Sequence, residues 1–219
     1  MSTLRFGALL IALVACAMCG SAVTAASAWA YADPVFNGDF SSGSRDQVQG
    51  WYAAAMHHKE TDFGWSRTAD GHQVSIVSHV LNYATWRQSI MLRPGWYRIS
   101  ALARVDDANP PGAGATIAAQ TFRGARLVSN EIHGTTGWTP VALYLRVERW
   151  GQINQLLLQA GEEHSQGSGA AYFRDVKIES IDFPPAGASN VYDLSMIAMA
   201  QVPPLNGIDL VVAQRTHPD

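Results

Sequence analysis

Apolar and polar side chains alternate with a period of two over much of this chain. Tyr97, Ile99, Ala101, Ala103 and Val105 fall on one side, and Trp96, Arg98, Ser100, Leu102 and Arg104 on the other. Val141, Leu143, Leu145 and Val147 alternate with Ala142, Tyr144, Arg146 and Glu148. Trp86, Gln88, Ile90 and Leu92 share a side, and Val74, Ile76, Ser78 and Val80 alternate less cleanly with their neighbours. Extended chain points successive side chains to opposite faces, so each run predicts a half-buried β-strand. No stretch between residues 34 and 182 has a helical period.

Turn residues punctuate the runs. Arg93-Pro94-Gly95 predicts a hairpin between the strand ending at Leu92 and the one starting at Trp96, because proline presets φ and glycine accepts φ > 0. Asp106 to Gly114, Gly134 to Gly137 and Gly161 to Gly169 read as loops. The chain opens on Pro34 to Phe40 and closes on Ala170 to Ile178, both strand-like. This pattern predicts an all-β, two-sheet antiparallel β-sandwich of the jelly-roll kind, with its first and last strands side by side and Phe40 and Phe173 buried together.

Residues 1–32 read as an export signal. Arg5 is the only charge before Asp33, Phe6 to Cys19 is apolar, and Ala30-Tyr31-Ala32 offers a cleavage site, with Ala28-Trp29-Ala30 as a rival. Leu13-Val14-Ala15-Cys16 resembles a lipoprotein box, in which Cys16 would be acylated. Cleavage to a secreted or periplasmic protein, lipid anchoring and an uncleaved anchor all stay open, and membrane association follows only from the last two. Both cysteines, Cys16 and Cys19, lie in this segment, so a domain cut after Ala32 has no disulfide and must be held by its core. Residues 33–182 form the sandwich. Residues 183–219 form a C-terminal extension, broken off by Phe183-Pro184-Pro185. In it, Val191, Leu194, Met196, Ile197 and Met199 suit a short helix, and Ile208 to Val212 a strand. These pieces either pack on the sandwich or dock a partner.

The formal net charge is −3, with no basic patch, so nucleic acid is not expected as a partner. His57-His58 with Glu60 and Asp62 does not make a metal site, because adjacent histidines on extended chain diverge. Glu162-Glu163 cannot face each other across a cleft as glycosidase carboxylates must. No Gly-x-Ser-x-Gly elbow is present. No catalytic residue is assigned.

Asn37 to Phe40, Gly50-Trp51, Trp86 to Ile90, the run Pro94 to Arg104, Gly137-Trp138 and Tyr172 to Val176 occur in an order that resembles the galactose-binding-like jelly rolls. The likeness is nearest to carbohydrate-binding modules of families four and nine. The resemblance implies a non-catalytic module that holds a polysaccharide or glycoconjugate, here at a bacterial cell envelope. It also implies a structural calcium where the first and last strands meet, at Asp39 and Asp175. Two departures bear on that ion: Ser41 stands where an acid is common, and Arg174 replaces the first of two closing acids.

Sugar modules stack an aromatic ring on a pyranose and read its hydroxyls with planar polar groups. Trp65 is the expected loop aromatic, in the segment from Met56 to Gly71. Arg104 and Tyr144 lie on polar strand faces, and Gln120 and Gln159 join them if those strands are neighbours. The alternative is a structural subunit whose tail docks an envelope protein.

Overall fold

The structure is a computed structural model describing residues 34–110, 113–162 and 164–195, all within one compact unit. The expected export segment, 1–32, and the expected strand at Ile208 to Val212 lie outside the described residues. The described strands are β1 (Gly43–Ser44), β2 (Gln47–Val48), β3 (Tyr52–Ala55), β4 (Thr61–Thr68), β5 (Gly71–Asn82), β6 (Ala84–Ser89), β7 (Gly95–Asn109), β8 (Ala115–Thr121), β9 (Arg126–Val128), β10 (Thr139–Val147), β11 (Ile153–Ala160), β12 (Gly167–Ile181) and β13 (Val191–Asp193). A single 3-10 turn spans His58–Glu60.

These strands build the expected all-β two-sheet sandwich. One sheet runs β13-β10-β7-β12-β5-β4 and the other β3-β6-β11-β8-β9, while β1 and β2 form a separate ribbon. Every pairing is antiparallel except β10 with β13. Alternation assigns the faces as the sequence predicts. Ile99, Ala101, Ala103 and Val105 of β7, with Val141, Leu143, Leu145 and Val147 of β10, point into one core. Ile117, Leu156, Leu158 and Trp86 of the other sheet meet them.

Trp86 joins the layers most directly. It is 1% exposed, meets Phe63 of β4 edge-on with ring centres 5.4 Å apart, and donates its indole N–H to Ser75 O of β5 at 3.1 Å. One side chain of the five-stranded sheet thus buries its ring and satisfies its polar atom in the six-stranded sheet.

The ends close as predicted. Phe40 and Phe173 are fully buried in the same core, with Phe40 against Trp51 at 5.4 Å. Val176 N–H donates to Gly38 O at 2.9 Å. A Cβ at residue 38 would stand 2.2 Å from Val176 O, so only glycine lets the first segment approach the last strand. Gln88, buried on the inner face of β6, receives Phe36 N–H at 2.9 Å and donates to Phe36 O at 2.7 Å. A buried amide here acts as a strand partner for the incoming chain.

Three expectations need correction. Arg93-Pro94-Gly95 is not a hairpin: β6 and β7 belong to different sheets, and the chain crosses between them with Ile90 and Leu92 buried. A turn signal marks a reversal of direction, not which layer the next strand joins. The loop expected from Asp106 begins later, because β7 continues to Asn109. The expected helix starts later than Val191: Val191–Asp193 form a strand, β13, laid parallel to β10, the chain turns helical at Leu194 and Ser195, and Met196 to Met199 lie outside the described residues. The Tyr192 hydroxyl donates to Val128 O at 2.8 Å and accepts from Val128 N–H at 3.2 Å. It thereby pairs the backbone of the edge strand β9, and Leu194 enters the core at 4% exposure. The start of the extension is therefore a working part of the sandwich.

Tyr192→Phe removes a hydroxyl that satisfies two backbone groups. It is expected to cost about 1–2 kcal/mol of stability, read as a lower urea midpoint with an unchanged slope.

Candidate functional site

Residues on the outer face of the five-stranded sheet fall into three rows set by strand register. The first is Ala54, Thr85, Gln159 and Thr116; the second is Tyr52, Arg87, Leu157, Ala118 and Val128; the third is Ser89, Gln155, Gln120 and Arg126. An outer face is normally wet, yet the middle of this one is not. Thr85 and Gln159 are 0% exposed, Thr116 2% and Leu157 1%. Arg126 extends from β9 to place its guanidinium 4.9 Å from the ring of Tyr83, which precedes β6. The pair therefore bridges the two strands between, β11 and β8.

Gln159 is the feature that sets this face apart. Both atoms of its side-chain amide are buried without a hydrogen-bond partner, and so is the hydroxyl of Thr116 opposite it. Leaving such groups unpaired costs about 1–3 kcal/mol each. At the margin of the face, Tyr52 is 43% exposed, and its hydroxyl accepts from Gln155 Nε2 at 2.7 Å. Among the described residues no ring or guanidinium stacks on Tyr52. Beside it opens a hollow of about 680 Å³ between the β1–β2 ribbon and the edge strand β3, lined in part by Asp46, Gln47, Gln49 and Trp51. The three rows contain no carboxylate. Acid–base cleavage of a glycosidic bond by a carboxylate pair lacks its reagents on that face.

The five expected ligand residues do not form one group. Gln120 and Gln159 lie on the five-stranded sheet, Arg104 and Tyr144 on the outer face of the six-stranded one, so the two pairs point away from each other. Even Arg104 and Tyr144 are apart. Tyr144 pairs with Arg98, six residues along β7 from Arg104, or about 20 Å. Trp65 is not a loop aromatic. It lies in β4, packs on the core, donates its indole N–H to Phe40 O at 2.7 Å and stacks on His72 with ring centres 5.4 Å apart.

Two aromatic rings on the six-stranded face, Tyr172 and Trp138, are already covered. Arg104 lies 4.1 Å from the Tyr172 ring and 5.6 Å from that of Trp138, and Arg174 lies 4.4 Å from Trp138. Asp106 and Asp70 stand 3.5 Å and 3.6 Å from Arg104 and Arg174. At these two rings the protein's own cations occupy surface that a sugar would need.

Sequence reasoning passed over Gln155, Arg87 and Arg126. The signal for Gln155 was available: Gln155, Leu157 and Gln159 alternate with Leu156 and Leu158, so one strand carries two glutamines on a single face. That this face belongs with Tyr52 depends on pairing across β6, which spacing does not reveal.

The two carboxylates expected at the calcium position are both engaged by protein groups. Asp39 and Asp175 do flank the closure between Gly38 and Val176. However, Asp39 Oδ1 accepts the Ser41 backbone N–H at 3.1 Å, and this bond holds its carboxyl below the ordinary carboxylate value. Asp175 stands 3.6 Å from Arg174 Nε. Among the described residues no three potential ligand side chains of the acidic, histidine or cysteine type cluster together, whereas calcium takes six to eight oxygens.

No family model matches the chain. No curated protein matches it either. Solved structures similar in fold include the enzymatically active domain of tailspike protein 4 from bacteriophage CBA120. It is 13% identical, with a TM-score of 0.49 over 68% of this chain and 21% of that one, so this chain spans only a small part of its length. A CBM4 carbohydrate-binding module is 18% identical with a TM-score of 0.48, over 67% of this chain and 99% of the module. TmCBM61, solved with β-1,4-galactotriose, is 12% identical with a TM-score of 0.47, over 68% and 99%.

Adding a calcium chelator to the purified protein is expected to leave its melting temperature unchanged. A drop restored by calcium would show that backbone oxygens complete a site around Asp39 and Asp175.

Proposed function

We propose that this chain is an exported, non-catalytic module that binds a polysaccharide or glycoconjugate on the outer face of its five-stranded sheet. The observation that carries the reading is Gln159: a fully buried side-chain amide with both polar atoms unpaired, on a face whose margin presents an unstacked Tyr52. Sugar hydroxyls donate and accept, so one saccharide unit supplies both missing partners. Tyr52 offers its ring to a pyranose, and Gln155, already at the Tyr52 hydroxyl, fixes the ring's tilt.

Gln159 and Thr116 are buried, so access requires the side chains over them to move. The hydrogen bonds a ligand makes to Gln159 and Thr116, about 1 kcal/mol or more each, offset part of that cost. The absence of carboxylates from the face supports holding rather than cleavage.

Export rests on the apolar segment Phe6 to Cys19 and the small residues before Asp33. The competing reading, a subunit that docks an envelope protein through its tail, loses part of its basis because Val191–Leu194 packs within the sandwich.

Gln159→Leu separates binding from structure. It keeps the side-chain bulk and removes two unpaired groups, so the melting temperature should hold or rise. Retention on polysaccharide affinity gels should fall about tenfold or more, the loss of roughly one to two hydrogen bonds. Tyr52→Ala should weaken retention similarly. A Gln159→Leu protein that binds as wild type, or a wild type silent across polysaccharides and glycan arrays, would overturn the reading. Mass spectrometry of the protein expressed in a bacterium should find an N-terminus at Asp33 or Tyr31, or an acylated Cys16. An intact Met1 in the cytoplasm would sink export.

A further inference from the structure

One end of the sandwich gathers exposed apolar side chains on three ordered loops. Phe122 is 79% exposed, Trp150 57% and Met91 55%. The loops are tied to one another. Phe122 N–H donates to Gln152 O at 3.0 Å, and Gln152 Oε1 accepts the N–H groups of Glu148 and Arg149 at 2.7 and 3.0 Å. Arg93, two residues after Met91, places its guanidinium 5.4 Å from the Trp150 ring. The β8–β9 turn is closed by Thr121 N–H to Ala125 O at 2.8 Å and Gly124 N–H to Thr121 O at 2.9 Å. Phe122 is thus held outward by a hydrogen-bonded turn rather than left loose.

The three loops themselves carry Arg93, Arg123 and Arg149 against one acid, Glu148, which stands 3.9 Å from Arg149; the acids Glu179, Asp182 and Asp193 lie at the strand ends behind them. Large apolar tips ringed by arginine suit the boundary of an anionic bilayer. There Trp and Phe settle at headgroup depth and cations meet lipid phosphates. A water-soluble glycan needs neither an upright Phe nor a concentration of positive charge.

Leu81, also exposed at 56%, lies at the opposite pole, where β5 ends and β12 begins.

We propose that this pole is a docking surface for anionic phospholipid, with Phe122, Trp150 and Met91 entering the interfacial layer and Arg123 and Arg149 contacting phosphate. The surface is separate from the five-stranded face and does not depend on the sugar-binding reading.

The test uses the full chain and vesicles of phosphatidylcholine with or without one quarter phosphatidylglycerol. The segment Phe6 to Cys19 is common to all variants, so differences between them report the loops. Phe122→Ser with Trp150→Ser should lower partitioning into the anionic vesicles about tenfold. Arg123→Gln with Arg149→Gln should abolish the preference for phosphatidylglycerol, and Leu81→Ser should change neither. Brominated lipid should quench wild-type fluorescence more than that of Trp150→Phe. Equal partitioning of wild type and the Phe122/Trp150 variant, or equal quenching with and without Trp150, overturns the proposal. So does loss of polysaccharide retention in that variant with vesicles inert, which would place the loops in a sugar site.

Discussion

A strand in a two-layer sandwich can turn only alternate side chains into the core, and polar groups removed from water must find partners. The rest of this structure follows from those two constraints. Inward rows of β6, β7, β8, β10, β11 and β12 are almost wholly apolar, and the largest polar or part-polar exceptions on β6 are paired. Gln88, inside, is bonded to both polar backbone groups of Phe36. Trp86, inside, finds Ser75 O in the other layer. Gln159 breaks the second constraint from outside the core: its row should be wet, and its amide is instead buried and unpaired. Selection for stability alone favours an apolar residue there, because an isosteric hydrocarbon avoids the desolvation cost.

The two outer faces use similar residues in opposed ways. On the six-stranded sheet, Arg104 and Arg174 cover Tyr172 and Trp138, and Asp106 and Asp70 stand beside the arginines. Charge and aromatic surface are largely consumed within the protein. On the five-stranded sheet, carboxylates are absent, the Tyr52 ring is unstacked, and an amide and a hydroxyl lack partners. The difference lies in what each face has left over. Composition cannot detect it, because both faces contribute aromatics and arginines to the same count.

Alternation made the strands legible because it is a local property. Five successive inward positions from Tyr97 to Val105 leave little doubt about β7, and the buried Phe40 and Phe173 follow from the matching ends. Layer membership is not local. Arg104 and Gln159 both sit on strands with one polar side, and nothing in either strand says which sheet it enters. Trp65 was misplaced for a related reason. As part of the edge strand β4 it has neighbours such as Gly64 and Ser66 that blur the alternation, so a strand with weak contrast reads as loop. Val191 to Asp193 form a strand ahead of the helical turn at Leu194 and Ser195, a boundary that spacing over a few residues does not mark. Tyr192 holds this stretch extended by bonding the backbone of β9, with three strands between them in sequence.

The two surfaces proposed to bind ligands differ in direction. Strand pairing fixes the faces, so a ligand on the five-stranded sheet meets rigid rows whose spacing is set by backbone hydrogen bonds. Loops at the poles are free of that spacing and can raise single side chains, as the β8–β9 turn raises Phe122. A polar chain read by rows and an apolar boundary met by tips make different physical demands, and one molecule can meet both because they fall on perpendicular surfaces. The core between them supports both: it has no disulfide among the described residues, so apolar packing of the inward rows underlies the surfaces on which Gln159 lies and from which the hydrogen-bonded turn raises Phe122.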